Sequence, residues 1–272
     1  MRRGWKRVDS RFEESSFLQF GGASGTLAAL GDRALPVSQA LAAELDLRLP
    51  DAPWHAHRDR LAALVCACGV HTGSLAKMAR DISLMMQHET AEAAEPGGDG
   101  RGGSSTMPHK RNPIACALAL AAATRVPGQV AAFLAGMPQE HERAAGGWQA
   151  EWVAIARVVE DTGLALASMR EAAEGLTVNA ARMRRNLEST GGAIFAERAA
   201  LLLAEKLGRE DALRVVDESL RRSAETGRPF TAVLAEMPEA RAVLTPAQIG
   251  ALDDPRQYLG AAEVFRQQLL EE

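Results

Sequence analysis

From about His57 to His88 a buried-type residue recurs every three or four positions: Leu61, Leu64, Val65, Cys68, Thr72, Leu75, Met78, Ile82, Met85 and Met86. Held over so many turns, that spacing predicts one long amphipathic helix. A helix of that length needs partners along its whole apolar stripe, so a helical bundle is expected. Further helices are predicted near 36–45, over 113–124, from Pro127 to Glu140 with a kink at Pro138, and from Trp148 to about Glu174. Beyond Gly175 the helices shorten: 179–188, 194–207, 210–225, 231–237, 246–252 and 255 onward. Gly191-Gly192, Gly208 and Gly227 mark helix ends, and Thr245-Pro246 and Asp254-Pro255 mark helix starts. Met1 to Ser16 is charged and aperiodic, which predicts a disordered or atypical lead-in over 1–17. The pattern thus divides the chain into that lead-in, a central bundle domain over 18–175 with a glycine-rich loop at 95–113, and a C-terminal helical domain over 176–272. No stretch reads as a strand or an internal repeat, so the fold class is all-α.

Composition agrees. Aromatic residues make up only 4% of the 272 residues, and abundant alanine and leucine favour helix over strand. A net charge of −4 gives no basic face for nucleic acid. Cys66, Cys68 and Cys116 form no C-x-x-C pair, so neither a zinc site nor a disulfide framework is expected. The basic start lacks the apolar run of a secretory signal. The apolar stretch 114–123 is too short to cross a bilayer. A soluble, cytoplasmic protein with no membrane partner is the expectation.

Candidate chemistry concentrates in Gly103-Ser104-Ser105-Thr106-Met107-Pro108-His109-Lys110-Arg111-Asn112-Pro113. Three hydroxyls stand beside cations. Asn112-Pro113 reads as an N-cap and first helical residue, and such a helix end favours anions. By composition alone the stretch reads as a solvated linker. Other groupings carry less. Ser74-Leu75-Ala76-Lys77 lies mid-helix without a later Lys-Thr-Gly. His55 and His57 point to different sides of a helix, so no metal is expected there. No P-loop motif occurs.

The eleven residues resemble the signature loop of the fumarase/aspartase superfamily, Gly-Ser-Ser-x-Met-Pro-x-Lys-x-Asn, with every fixed position present from Gly103 to Asn112. Within it, the segments Leu18–Leu27, Pro53-Trp54-His55 with Arg58-Asp59-Arg60, Gln139–Arg143 leading to Gly146-Gly147-Trp148 and Glu151-Trp152, and Tyr258-Leu259-Gly260 look like bacterial 3-carboxy-cis,cis-muconate cycloisomerases. The resemblance implies closure of 3-carboxymuconate to 4-carboxymuconolactone in aromatic degradation, without a cofactor or metal. It implies Ser104 as the proton-transfer residue, Lys110 as the cation that steadies its anion or a substrate carboxylate, and Asn112 as a carboxylate donor. Ser105, Thr106 and Met107 would line the substrate. Arg143 reads equally as a bidentate carboxylate holder and as part of a surface charge cluster; His141 reads as a structural hydrogen bonder before an acid–base group. His57 stands where these relatives are expected to carry a substrate-contacting Gln.

The resemblance further implies a homotetramer with sites shared between subunits. Relatives carry a long portion before the Leu18 region that residues 1–16 do not resemble, so the chain reads as truncated and in need of a companion segment. Two alternatives accompany this reading. One is an adenylosuccinate-lyase-like or other fumarate-releasing lyase, against which Ala144-Ala145-Gly146-Gly147-Trp148 offers no cation for a nucleotide phosphate. The other is a non-catalytic truncated bundle that serves assembly.

Overall fold

The structure is a computed structural model that describes residues 1–97, 102–103, 106–107 and 110–271. It divides into two compact units, Met1–Asn179 and Ala180–Glu272.

The first unit is built on three long helices, α3 (Asp59–Met85), α4 (Ile114–Ala135) and α5 (Gly147–Glu174), preceded by α1 (Arg2–Ser15) and α2 (Ala34–Glu44). Two core clusters fix their directions. Val65 and Cys68 near the start of α3 meet Val126 and Phe133 late in α4 and Ala154 and Val158 early in α5. Leu75, Ala79 and Ile82 late in α3 meet Ala115, Cys116 and Ala119 early in α4 and Ala165, Met169 and Ala172 late in α5. So α3 and α5 run together, and α4 runs back between the same two ends. The second cluster is rich in alanine; Ala79, Ala119, Ala122, Ala165 and Ala172 are fully covered. Small side chains at the seam let helix backbones approach closely, and the closeness restores the dispersion contacts that larger residues would make.

Several expectations are corrected. Residues 2–15 form a regular helix rather than a disordered lead-in. Val8 joins the core of α3, and the Ser15 hydroxyl donates to the Arg60 carbonyl at 2.9 Å. A helix of this length is marginal alone in water, so tertiary docking sustains it. The predicted break at Pro127 is absent: α4 runs from Ile114 to Ala135 with Pro127 inside it. Burial of Val126 and Phe133 on either side of the proline offsets the lost hydrogen bond. The helix then stops at Gly136, short of the predicted Glu140. As one helix, α4 joins α3 in being long and apolar enough to cross a membrane, although the 114–123 run alone is not. Both bury one stripe in the bundle.

A short antiparallel ladder also appears, β1 (Ala93–Ala94) against β2 (Thr177–Val178), with Ala93 opposite Val178. It is two residues long, below what alternation in a sequence reveals. It ties residues 177–179 to the first unit, since the Asn179 amide donates to the Glu92 carbonyl at 2.8 Å.

The second unit packs α6 (Ala180–Glu188), α7 (Ala196–Leu207), α8 (Arg209–Thr226), α9 (Phe230–Leu234), α10 (Pro238–Val243), α11 (Pro246–Ala251) and α12 (Ala262–Glu271). Its core holds Leu203, Val215, Phe230, Leu234, Ala240 and Leu252. The predicted starts carry real caps: the Thr245 hydroxyl accepts from the Gln248 amide at 3.2 Å, and the Asp254 carboxylate accepts from the Arg256 amide at 3.0 Å.

Candidate active site

Chemistry-bearing residues gather at the two opposite ends of the three-helix core. At one end, α3 finishes and α4 begins, with the signature loop between. Ser104, Ser105 and His109 lie outside the described residues. Thr106, Met107 and Lys110 are exposed. The flanks of the loop are pinned: the Asn112 amide donates to the Gly102 carbonyl at 2.7 Å, and the Lys110 amide donates to the Met107 carbonyl at 3.0 Å. Asn112 is not the N-cap. That place falls to Pro113, whose side chain can accept nothing, and the helix starts at Ile114.

The α4 amides are satisfied from elsewhere. Glu95, 7% exposed, accepts from the Ala115 amide at 2.9 Å and from the Cys116 amide at 3.1 Å. A carboxylate at a helix N-terminus is favoured by the free N–H groups and the dipole. The helix end read from the sequence as an anion site is therefore filled by the chain's own Glu95. Burial, and then the Glu95 carboxylate beside it, pushes the Cys116 thiol up to about 12.

At the other end, α3 starts beside the start of α5. Arg58 and Glu151, with side chains 2% and 6% exposed, form a bidentate pair at 2.9 and 2.5 Å. The third nitrogen of Arg58 donates to the Gln19 side-chain oxygen and to the His55 carbonyl, each at 3.3 Å. The Gln19 amide nitrogen stands 3.1 Å from His55 Nδ1. Gln139 reaches the same Glu151 at 3.4 Å, and Trp54 Nε1 donates to the Leu18 carbonyl at 3.0 Å. Arg143 is exposed; its guanidinium donates to the Gly22 carbonyl at 2.5 Å and lies over Trp148, 5.4 Å from the ring centre. His141 is exposed, with φ of 52°, a left-handed backbone uncommon outside glycine. His57 is exposed too. Burial, then the positive Arg143 nearby, lowers the pKa of His55; Glu142 opposes the shift and Arg58 adds to it. His55 is therefore neutral at pH 7.

Sequence reading singled out the loop, His141 and Arg143 as candidates but gave no role to Gln19, His55, Arg58, Glu95 or Glu151. Arg58 and Glu151 are 93 positions apart, and no local pattern links them. Among the described residues, no hydrogen bond or ion pair joins Lys110 or Asn112 to His141 or Arg143. The 22 residues of α4 separate the two groups, about 33 Å at 1.5 Å per residue.

Comparison with known proteins places this geometry in a family setting. The family model described as lyase matches residues 1–128, and that described as adenylosuccinate lyase C-terminus matches residues 192–269. The first match takes in α1. The chain is 50% identical over 254 residues to a protein of Bradyrhizobium diazoefficiens named 3-carboxy-cis,cis-muconate cycloisomerase, covering 93% of this chain and 56% of that protein. It is also 50% identical over 255 residues to the Pseudomonas aeruginosa protein of the same name, covering 94% and 56%. The crystal structure of the 3-carboxy-cis,cis-muconate lactonizing enzyme of Pseudomonas putida superposes with a TM-score of 0.87 at 44% identity, covering 98% of this chain and 59% of that one. The chain spans a little over half the length of the curated relatives it matches.

Proposed function

The chain belongs to the fumarase/aspartase superfamily of lyases, and from that premise we propose that it forms the signature-loop and His-Glu-Arg parts of a 3-carboxy-cis,cis-muconate cycloisomerase. The observation that carries this reading is 50% identity over 254 residues to a protein of that name, across both units. The chemistry suits the residues. One carboxylate of the substrate adds across a carbon–carbon double bond and closes a lactone. The electron pair moves onto the neighbouring carboxylate as an enediolate, and a proton then reaches carbon. Substrate and product are isomers, so the step balances without an external oxidant or reductant.

In this reading Ser104 transfers the proton. Lys110 steadies the serine anion or the enediolate, and Asn112 donates to the same carboxylate. Ser105 and Thr106 add donors and Met107 an apolar wall. Arg143 holds a further carboxylate as a bidentate pair. His141 orients the turn that carries Arg143. The substrate is a small polycarboxylate.

The 33 Å between the ends of α4 far exceeds a molecule of this size. Loop and arginine of one copy therefore serve different sites, and each complete site draws on more than one copy. A homo-oligomer follows, a tetramer by family resemblance, in the cytoplasm. The alternative substrate class is that of a fumarate-releasing lyase, favoured by the adenylosuccinate lyase match over 192–269.

The test is ultraviolet-monitored lactonisation of 3-carboxymuconate, beside a fumarate-release assay. It is run on the 272-residue chain alone and on the chain joined to the N-terminal segment of its longer relatives. Lactonisation that depends on Ser104 supports the proposal. Fumarate release without lactonisation replaces it with the lyase reading, and absence of both in the joined form refutes catalysis.

A further inference from the structure

His55 is 4% exposed, and its two ring nitrogens are in opposite circumstances. Nδ1 faces the Gln19 amide at 3.1 Å, while Nε2 is buried with no hydrogen-bond partner among the described residues. The tautomer follows from the chain of partners. Glu151 holds Arg58; a guanidinium has only donors, so the Gln19 atom it reaches is the carbonyl oxygen. That turns the Gln19 nitrogen, itself only a donor, toward Nδ1. Nδ1 must accept, so the proton of the neutral ring sits on Nε2. The relay Glu151–Arg58–Gln19–His55 ends in a buried N–H donor with nothing to donate to. Such a donor costs stability in the empty protein, and the cost is recovered when an acceptor arrives.

The surroundings say which acceptor. Nε2 lies where a side chain of residue 21 would be: a Cβ on Gly21 would stand 2.5 Å from it. The next carbonyl, Gly22, is the one that Arg143 holds. The orphan donor and an exposed guanidinium thus flank the same dipeptide. Arg143 spends its hydrogen bond on a neutral carbonyl, for which a carboxylate is a markedly stronger substitute. The turn above is exposed from Gly22 to Ser24, and Gly22 and Gly25 sit at φ of 70° and 77°, a backbone that shifts at little steric cost. Glu142, the acid beside this turn, lies against Gly25 and leaves Nε2 unpaired.

We propose that His55 is a substrate-binding residue that shares one carboxylate with Arg143. The carboxylate takes the guanidinium from the Gly22 carbonyl, the Gly21–Gly25 turn moves aside, and the second carboxylate oxygen accepts the His55 Nε2–H. This deepens the reading of Arg143 as a carboxylate holder and rests on it. It also gives the buried Arg58–Glu151 pair a purpose, to fix the tautomer that makes His55 a donor.

The test is nitrogen-15 NMR of the histidine side chains, with calorimetric titration of citrate as a tricarboxylate probe. The free protein is expected to show His55 as the Nε2–H tautomer. Citrate shifts that nitrogen and slows exchange of its proton. His55→Asn, which keeps a polar group near Nδ1 but has no donor at Nε2, weakens citrate by about 10- to 100-fold, the span expected for a hydrogen bond to a charged group. His55→Gln, whose amide reaches the Nε2 position, restores much of the loss. The proposal is overturned by an Nδ1–H tautomer, by citrate that fails to bind or leaves the His55 nitrogens unmoved, or by equal affinities of wild type and His55→Asn. The spectra of the wild-type protein decide the matter if the variants fail to fold. Lactonisation that is absent while His55 still answers citrate removes the muconate reading alone. An active cycloisomerase whose His55 ignores citrate removes this inference alone.

Discussion

Arg58 and Glu151 show how much one side-chain pair does here. Both are almost fully covered, so each charge depends on the other for its solvation. Removing one partner strands the other, at a cost of about 3–5 kcal/mol. Glu151→Ala is therefore expected to lower stability by that amount in urea unfolding, and an Arg58→Met/Glu151→Leu double variant to recover much of it; a Glu151→Ala loss below 1 kcal/mol would mean that water reaches the pair. The histidines set a pH limit. His55 and His71 are 4% and 2% exposed, and burial lowers both below the ordinary 6.5. A group whose folded pKa is depressed in this way binds its proton first in the unfolded chain. Stability is then level above about pH 6.5 and falls below it, by at most about 1.4 kcal/mol per pH unit for each histidine. Unfolding midpoints between pH 8 and 5 read this directly, and His71→Leu should remove one proton's worth of the slope. At this scale the sequence was legible only where chemistry is contiguous. The run Gly103–Asn112 could be recognised by eye, whereas the Glu151–Arg58–Gln19–His55 relay is assembled from three separate segments, around Gln19, over 55–58 and at Glu151.

Among the elements, α4 ties the loop to the core, and Glu95 is its fastener. The acid stands just before the glycine run and bonds the first turn just after the signature loop, so it closes the loop at its base. Glu95→Ala would leave two buried amides unpaired, each costing about 1–3 kcal/mol. Hydrogen exchange at Ala115 and Cys116 should quicken by at least tenfold, while exchange in the second unit stays unchanged. Glu95→Gln keeps one acceptor oxygen and should lie between. The same variants lose part of what holds the Cys116 thiol near 12, a second readout that needs no substrate. The periodic helices were legible because a three-and-four stripe states its own face, as along α3. The misses share a physical cause. In α1, Val8 is the one apolar residue in the core, and the rest of the docking falls to Ser15 on the Arg60 carbonyl and to Gly4 and Trp5 against His71, a mixed set that makes no apolar pattern. In α4 the packing of residues on both sides outweighs Pro127, and a two-residue ladder has no period at all.

For the molecule as a whole, burial is incomplete where the long helices are concerned. Val70 and Leu84 on α3, and Trp152, Val153 and Val159 on α5, are between 49% and 66% exposed. Apolar surface of this extent along bundle helices is what the proposed homo-oligomer would cover. It fits the proposal of shared sites, in which the 22 residues of α4, about 33 Å long, separate Lys110 from Arg143 and a second copy supplies the missing part. The consequence can be measured without knowing how the copies dock. A loop variant, Lys110→Ala, and an arginine variant, Arg143→Ala, are each expected to be inactive alone in whichever form of the protein turns over. Unfolded together and refolded as a mixture, they form some sites that draw an intact loop from one copy and an intact arginine from another. Random mixing of equal amounts predicts recovery of about one quarter of wild-type turnover, since each intact part is chosen with even odds. Sedimentation of the same mixture should show one oligomeric species whose mass falls on dilution as activity falls. No recovery in a properly assembled mixture would place loop and arginine in the same copy's site, which the length of α4 forbids for the small substrate proposed, and Arg143 would then have to leave the proposed catalytic set.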